Sequence, residues 1–209
     1  REMSLGSDID VVLVHEPSAL RVEDVASSLW YPIWDSRIAL DHSVRTIAQA
    51  RTLAQEDFKV VLGLIDARVV AGSTELGESL RTGILGDWRA SAGDRLVQLH
   101  APAMARRSRV GDLAQLLEPD IKEAYGGLRD TVLLRALAAS WTVEVPRTQW
   151  PSAVSTLLDV RDALHARGLR DRLAMQEQDD IAAEMTELLG NEATADDLEA
   201  LITAGGLPV

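Results

Sequence analysis

Asp8 and Asp10 stand two residues apart, directly behind Gly6-Ser7 and at the head of an apolar run. On a strand, residues i and i+2 project from the same face, about 7 Å apart along the backbone. Carboxylates so placed present hard oxygens to one or two divalent ions, and Mg²⁺ is the ion that such oxygens share with a triphosphate. A pair of ions held there would clamp the attacking and leaving oxygens of an in-line phosphoryl displacement. Gly6 lets the backbone come close to a ligand, and Ser7 offers a hydroxyl and an amide to a phosphate oxygen. This is the chemistry of nucleotidyl transfer. The same Asp-x-Asp spacing also occurs on solvated strand faces and in turns, and composition and spacing leave both readings open.

Other candidates are weaker. His42 and Arg45 close a second alternating segment, where Arg45 would meet a triphosphate bidentately or form a strand-end salt bridge. Lys122 precedes Gly126-Gly127-Leu128-Arg129-Asp130, a glycine turn into a helix, and is a candidate for contact with phosphate or a partner. Such a helix N-terminus binds an anion or is simply a turn. His165 lies four residues after Arg161 and reads as a packing histidine. Asp66 and Arg68 read as an interdomain ion pair. Trp30, Tyr31 and Trp34 read as interdomain packing around a helix break at Pro32. The acidic run Glu177, Asp179, Asp180, Glu184 and Glu187 reads as a solvated helix face.

The elements that must position these residues follow from periodicity. From Asp8 to Val14, Ile9, Val11 and Leu13 share one face, and Asp8, Asp10, Val12 and Val14 the other. Val22, Val25, Ala26, Leu29 and Ile33 fall at helical spacing. Arg37 to Arg45 alternates again, with Ile38, Leu40, His42 and Val44 on one face and Asp41 and Arg45 opposite. If this strand pairs beside Asp8–Val14 in suitable register, Asp41 joins the face of Asp8 and Asp10. Ile47, Ala50, Ala54, Phe58, Val61, Ile65 and Val69 mark one long helix ending at Gly72. Helical patterns then recur around Glu75–Arg81, Asp94–Ala105, Leu128–Trp141, Val154–Ala166, Asp180–Leu189 and Ala195–Ile202, separated by loops carrying Gly or Pro. The expectation is a small mixed α/β unit followed by a helical bundle.

Composition narrows the function classes. The 209 residues are 46% hydrophobic and only 4% aromatic, so a core must come from Leu, Val, Ile and Ala. There is no cysteine, which removes disulfides, thiolate metal sites and cysteine nucleophiles. The net charge of −12 disfavours duplex nucleic acid as a partner. No apolar run approaches the roughly 20 residues of a membrane helix, and the N-terminus lacks a signal pattern, so a cytoplasmic protein is expected. The chain opens directly on a strand, as expected of a piece of a longer protein.

The motifs taken in order resemble the bacterial PII-protein uridylyltransferase/uridylyl-removing enzymes. The resemblance rests on Gly6-Ser7-Asp8-Ile9-Asp10, Leu29-Trp30-Tyr31-Pro32-Ile33-Trp34-Asp35-Ser36 and His42-Ser43-Val44-Arg45-Thr46. It continues through Leu64-Ile65-Asp66-Ala67-Arg68, Pro119-Asp120-Ile121-Lys122-Glu123 and Gly126-Gly127-Leu128-Arg129-Asp130. Arg161, Leu164-His165, Asp171-Arg172-Leu173 and Gln178 extend it to about Leu189. It implies an α+β fold, with a polymerase-β-like nucleotidyltransferase core over residues 1–72 and an all-helical domain over 73–209. It also implies Mg²⁺-dependent transfer of UMP from UTP to a tyrosine of a small PII signalling protein, with release of pyrophosphate. Asp8 and Asp10 match the metal-binding carboxylates of that family, and Gly6 and Ser7 its phosphate-side residues. The family's superfamily carries another carboxylate on a neighbouring strand. Asp41 either supplies it or is a polar strand residue. Nothing in the residues selects UTP over ATP, and a catalytically silent module that docks PII is the reading from another class. Of the four histidines, His15, His42, His100 and His165, none is followed by Asp, so the uridylyl-removing His-Asp domain is expected outside these residues.

Overall fold

A computed structural model describes residues 7–145 and 150–189. Gly6 and the helix expected at Ala195–Ile202 lie outside the described residues. In chain order the elements are β1 (Ile9–Val14), α1 (Val22–Asp35), β2 (Leu40–Arg45), α2 (Ile47–Glu56), α3 (Phe58–Ile65) and α4 (Thr74–Val110). A 3-10 turn (Leu113–Gln115), α5 (Leu128–Ser140), α6 (Trp150–Ala166) and α7 (Met175–Leu189) follow. The fold is α+β, as expected, with helix dominant. Among the described residues no helix is long and apolar enough to cross a membrane. Two compact units divide the chain within α4: Ser7–Ala92 with Ala139–Thr142, and Gly93–Ala138 with the described residues from Val143 onward.

The first unit opens as a βαβ element. Strands β1 and β2 are parallel, in register from Ile9↔Leu40 to Val14↔Arg45. Parallel strands need a crossover, and α1 supplies it. Because paired residues of a parallel ladder share a face, Ile9, Val11 and Leu13 lie beside Leu40, His42 and Val44. Helix α1 covers that side with Trp30, which is 5% exposed and stacks 5.2 Å from the His42 ring. Trp88, Ile84, Ala50 and Val61 build the rest of this unit's core.

Four sequence expectations change here. The second strand starts at Leu40 rather than Arg37, because Arg37 takes a left-handed conformation (φ 57°) behind α1. Helix α1 runs through Pro32 instead of breaking there. Pro32 and Ser28 are both exposed, so the carbonyl that loses its N–H partner is accessible to water. The single helix expected from Ile47 to Gly72 is two helices. Asp57 adopts extended backbone (φ −119°, ψ 121°), and its carboxylate accepts from Lys59 N at 2.7 Å, starting α3 afresh. That helix ends at Ile65, leaving Asp66 as its C-cap and Arg68 beyond it rather than on a helix. Finally, Glu75–Arg81 and Asp94–Ala105 belong to one 37-residue helix, α4. Some of its glycines are close-approach positions and do not end it: a Cβ on Gly77 would collide with Val69 Cγ2, and one on Gly83 would lie 3.0 Å from Arg51 Cδ.

The second unit packs α6 and α7 on a core of Leu157, Val160, Leu164, Ile181 and Met185, joined by Leu113, Ile121 and Leu173. The stretch before α5 is firmly tied. Ile121 N donates to Asp171 O at 2.8 Å, Leu173 N to Pro119 O at 2.9 Å and Leu128 N to Ile121 O at 2.9 Å. Asp120 turns its side chain onto Lys122 N and Glu123 N. The buried Asp130 pairs with Arg106 of α4 and accepts from Gly126 N at 2.7 Å. The chain's own carboxylate therefore meets the amide at this glycine turn, which favours the structural reading of the turn.

Candidate active site

Register puts Asp10 directly beside Asp41 on the face opposite α1. Asp8, just before β1, has the same strand parity as Asp10. Asp8, Asp10 and Asp41 are all exposed. Partial burial, then the Asp41 and Asp8 charges, raise the Asp10 carboxyl above its ordinary value. The sheet thus collects carboxylates on one open face at the cost of mutual repulsion. Ser7 precedes them and is half-buried.

The other sequence candidates fall elsewhere. His42 lies on the opposite face, between Trp30 and Trp34, with both ring centroids at 5.2 Å. Tyr31 extends that aromatic group by a T-shaped contact with Trp34 at 5.5 Å. Arg45 shares the face of Asp41 but lies four residues along β2, about 13 Å away at the rise of a strand. It lines a shallow groove of about 370 Å³ with Ala48, Gln49, Thr52, Leu53 and Glu56, one face of α2. Lys122 belongs to the second unit. There it joins Arg161 and His165 around Asp171, a charged cluster that sequence reasoning missed. The available signal was the i, i+4 spacing of Arg161 and His165 on one helix face.

Do the carboxylates suit a metal ion? Among the described residues no three His, Asp or Glu side chains stand close enough to hold one by themselves. Mg²⁺ does not require that: it is commonly held by one or two carboxylates, with water and substrate phosphates completing its shell. Two hard oxygen donors of the same strand parity, with a third carboxylate across the ladder, fit such an ion.

An α+β protein with a carboxylate-bearing parallel strand pair and a separate helical unit is the class that the architecture defines. No family model and no solved structure matches the chain. Curated relatives do. A bifunctional uridylyltransferase/uridylyl-removing enzyme of Streptomyces coelicolor is 53% identical over 187 residues, covering 88% of this chain and 22% of the relative. Proteins of the same name from Mycobacterium tuberculosis (41% over 195 residues, 88% and 24%) and Corynebacterium glutamicum (36% over 171 residues, 82% and 24%) also match. The chain belongs to the family of bifunctional uridylyltransferase/uridylyl-removing enzymes, of which it matches a part. It spans under a quarter of the length of these three relatives.

Proposed function

We propose that this chain is part of the nucleotidyl-transfer half of such an enzyme, moving UMP from UTP to a tyrosine of a PII signalling protein in the cytoplasm, with release of pyrophosphate. The observation that carries the reading is the face shared by Asp8, Asp10 and Asp41. Residues 1–72 are read as the partial polymerase-β-like core and 73–209 as the helical domain of the family. UTP is preferred to ATP as donor because the relatives are named for uridylyl transfer.

Asp8 and Asp10 would hold Mg²⁺, which supplies positive charge to the triphosphate and to the oxygens entering and leaving phosphorus. Asp41 adds negative potential at the same face and favours cation entry. Ser7 offers its hydroxyl to a phosphate oxygen, and Gly6 the close backbone approach that the family resemblance implies. Arg45, on the same face but farther along, serves an outlying anionic group of a substrate. The test uses the longer natural protein that carries this segment. Asp8→Asn and Asp10→Asn keep shape and remove charge, and each should abolish transfer of labelled UMP to PII while leaving the thermal transition intact. Transfer at the normal rate by the Asp10→Asn enzyme would refute the assignment.

A further inference from the structure

Arg45 is set apart from the other arginines. Among the described residues every other arginine that is wholly or partly buried has a polar or ring contact, such as Ala139 O for Arg89 and Asp112 for Arg107. Arg45 is partly buried, and no described side chain pairs with its guanidinium. Withdrawing a charge from water is costly unless something meets it. The backbone beneath it is held firmly. Arg45 closes the ladder opposite Val14, and its carbonyl accepts from His15 N at 3.1 Å. A capping box follows at once, with Gln49 N donating to Thr46 Oγ1 and Thr46 N to Gln49 Oε1.

The side chain borders a recess. With Ala48, Gln49, Thr52, Leu53 and Glu56 it lines the shallow groove of about 370 Å³ along α2. Ala48 and Leu53 give that groove apolar surface. Thr52 and Glu56 have no side-chain partner among the described residues, and the Gln49 amide nitrogen is unused once its oxygen has capped α2. The two ends differ in charge, because Arg45 precedes α2 and Glu56 is its last residue. A carboxylate is drawn to the Arg45 end, where the guanidinium fork meets it bidentately, and is turned away from the Glu56 end.

Position decides whose carboxylate that is. Arg45 and Asp41 leave the same face of β2, about 13 Å apart along the strand. A triphosphate whose reacting phosphorus sits at Asp8 and Asp10 is too short to bring its charged oxygens to Arg45. An extended polypeptide covers the distance in about four residues. We propose that the α2 groove docks the protein that accepts the nucleotide. An extended acidic segment of that acceptor lies along α2 and pairs one carboxylate with Arg45, while its tyrosine, about four residues away, reaches the carboxylate face. This docking rests on the transferase reading, which puts the tyrosine there.

Binding and kinetics together test it, with the longer natural enzyme and PII as the acceptor. In the absence of nucleotide, Arg45→Met should weaken PII binding about tenfold, the range of one lost charge-assisted contact. The KM for PII should rise by a similar factor while the KM for UTP stays where it is. Arg45→Lys, which keeps the charge and loses the fork, should recover part of the loss, as a misfolded site would not. Neutralising the Asp and Glu residues near the PII tyrosine one at a time should find one whose effect is not additive with Arg45→Met. PII binding that Arg45→Met leaves unchanged, a rise in the KM for UTP instead, or additivity with every acidic residue would overturn the proposal. Arg45-dependent PII binding by an enzyme that transfers no UMP would refute the transferase reading and leave the docking standing.

Discussion

Asp10 on β1 and Asp41 on β2 are register partners across a parallel ladder, so both carboxylates leave the same face of the sheet. The opposite face is closed by α1 through Trp30 and His42. One βαβ element therefore separates its residues by face: Ile9, Val11 and Leu13 lie on the side of Trp30, and Asp10 and Asp41 are left open on the other. Like charges across a strand pair are unfavourable on their own. The unfavourable energy shows at Asp10, whose carboxyl is raised by burial and by the Asp41 and Asp8 charges.

The first prediction follows from that shift. A carboxyl raised on folding binds more protons in the folded than in the unfolded chain between the two pKa values, so stability falls as pH rises through this window. Asp10→Asn removes the penalty. In metal-free buffer at neutral pH the variant should melt at least as high as the wild type, with a gain of about 2–4 °C for each ~1 kcal/mol relieved. A lower melting temperature would mean that Asp10 makes a stabilising contact instead.

Asp41 is tested through the metal. Mg²⁺ held by the carboxylate face, as proposed, would stabilise the folded chain by mass action. The melting temperature of the wild type should rise with Mg²⁺ more than that of Asp41→Gly. Equal shifts in the two proteins would place Asp41 outside the ion's reach and leave it a surface strand residue.

Arg51 and Asp87 hold α2 to α4 with two hydrogen bonds of 2.7 Å, and the Arg51 hydrogen bond is the main cause that lowers the Asp87 carboxyl. A carboxyl lowered on folding stabilises above the unfolded pKa and loses that contribution as pH falls through the folded value. Arg51→Met should therefore cost stability at pH 7 but progressively less in acid. The pair is partly exposed, so the neutral-pH loss should be small. Denaturant titrations at pH 7 and in acid check it, and an equal loss at both would show that packing, not charge, is responsible.

Two glycines should respond in opposite directions. A Cβ on Gly127 would lie 2.6 Å from Ile121 O and 2.9 Å from Ala124 O, in backbone that cannot yield as a side chain would. Gly127→Ala is expected to destabilise by about 1–3 kcal/mol. Gly93, exposed within α4, has nothing within 4 Å of such a Cβ. Gly93→Ala should stabilise by about 0.5–1 kcal/mol through helix propensity. Urea unfolding of both variants gives the answer, and a stabilising Gly127→Ala would show that the turn is looser than described.

Both strands, the open acidic face and the helical second half were legible in the sequence because each rests on strict alternation or helical spacing. Asp8, Asp10 and Asp41 share a face by parity on the condition that the two strands pair in suitable register, which the parallel ladder supplies. What misled was local punctuation. Gly83, between the two segments read as separate helices, looks like a break but sits where Arg51 passes close by. Pro32 looks like a break but sits on an exposed turn of α1. Asp57 does break the helix, and the apolar periodicity ran straight across it. The Asp171 cluster was out of reach for a different reason. Its members are drawn from stretches about 40 residues apart, and only the folded second unit brings them together.

The most direct test of the central claim is equilibrium binding of UTP by the 209-residue chain, measured with and without Mg²⁺, for wild type and Asp10→Asn. If the β1–β2 carboxylate face holds the ion that meets the triphosphate, Mg²⁺ should tighten UTP binding by the wild type. That gain should disappear in Asp10→Asn. A Mg²⁺ effect of the same size in both proteins would contradict the account.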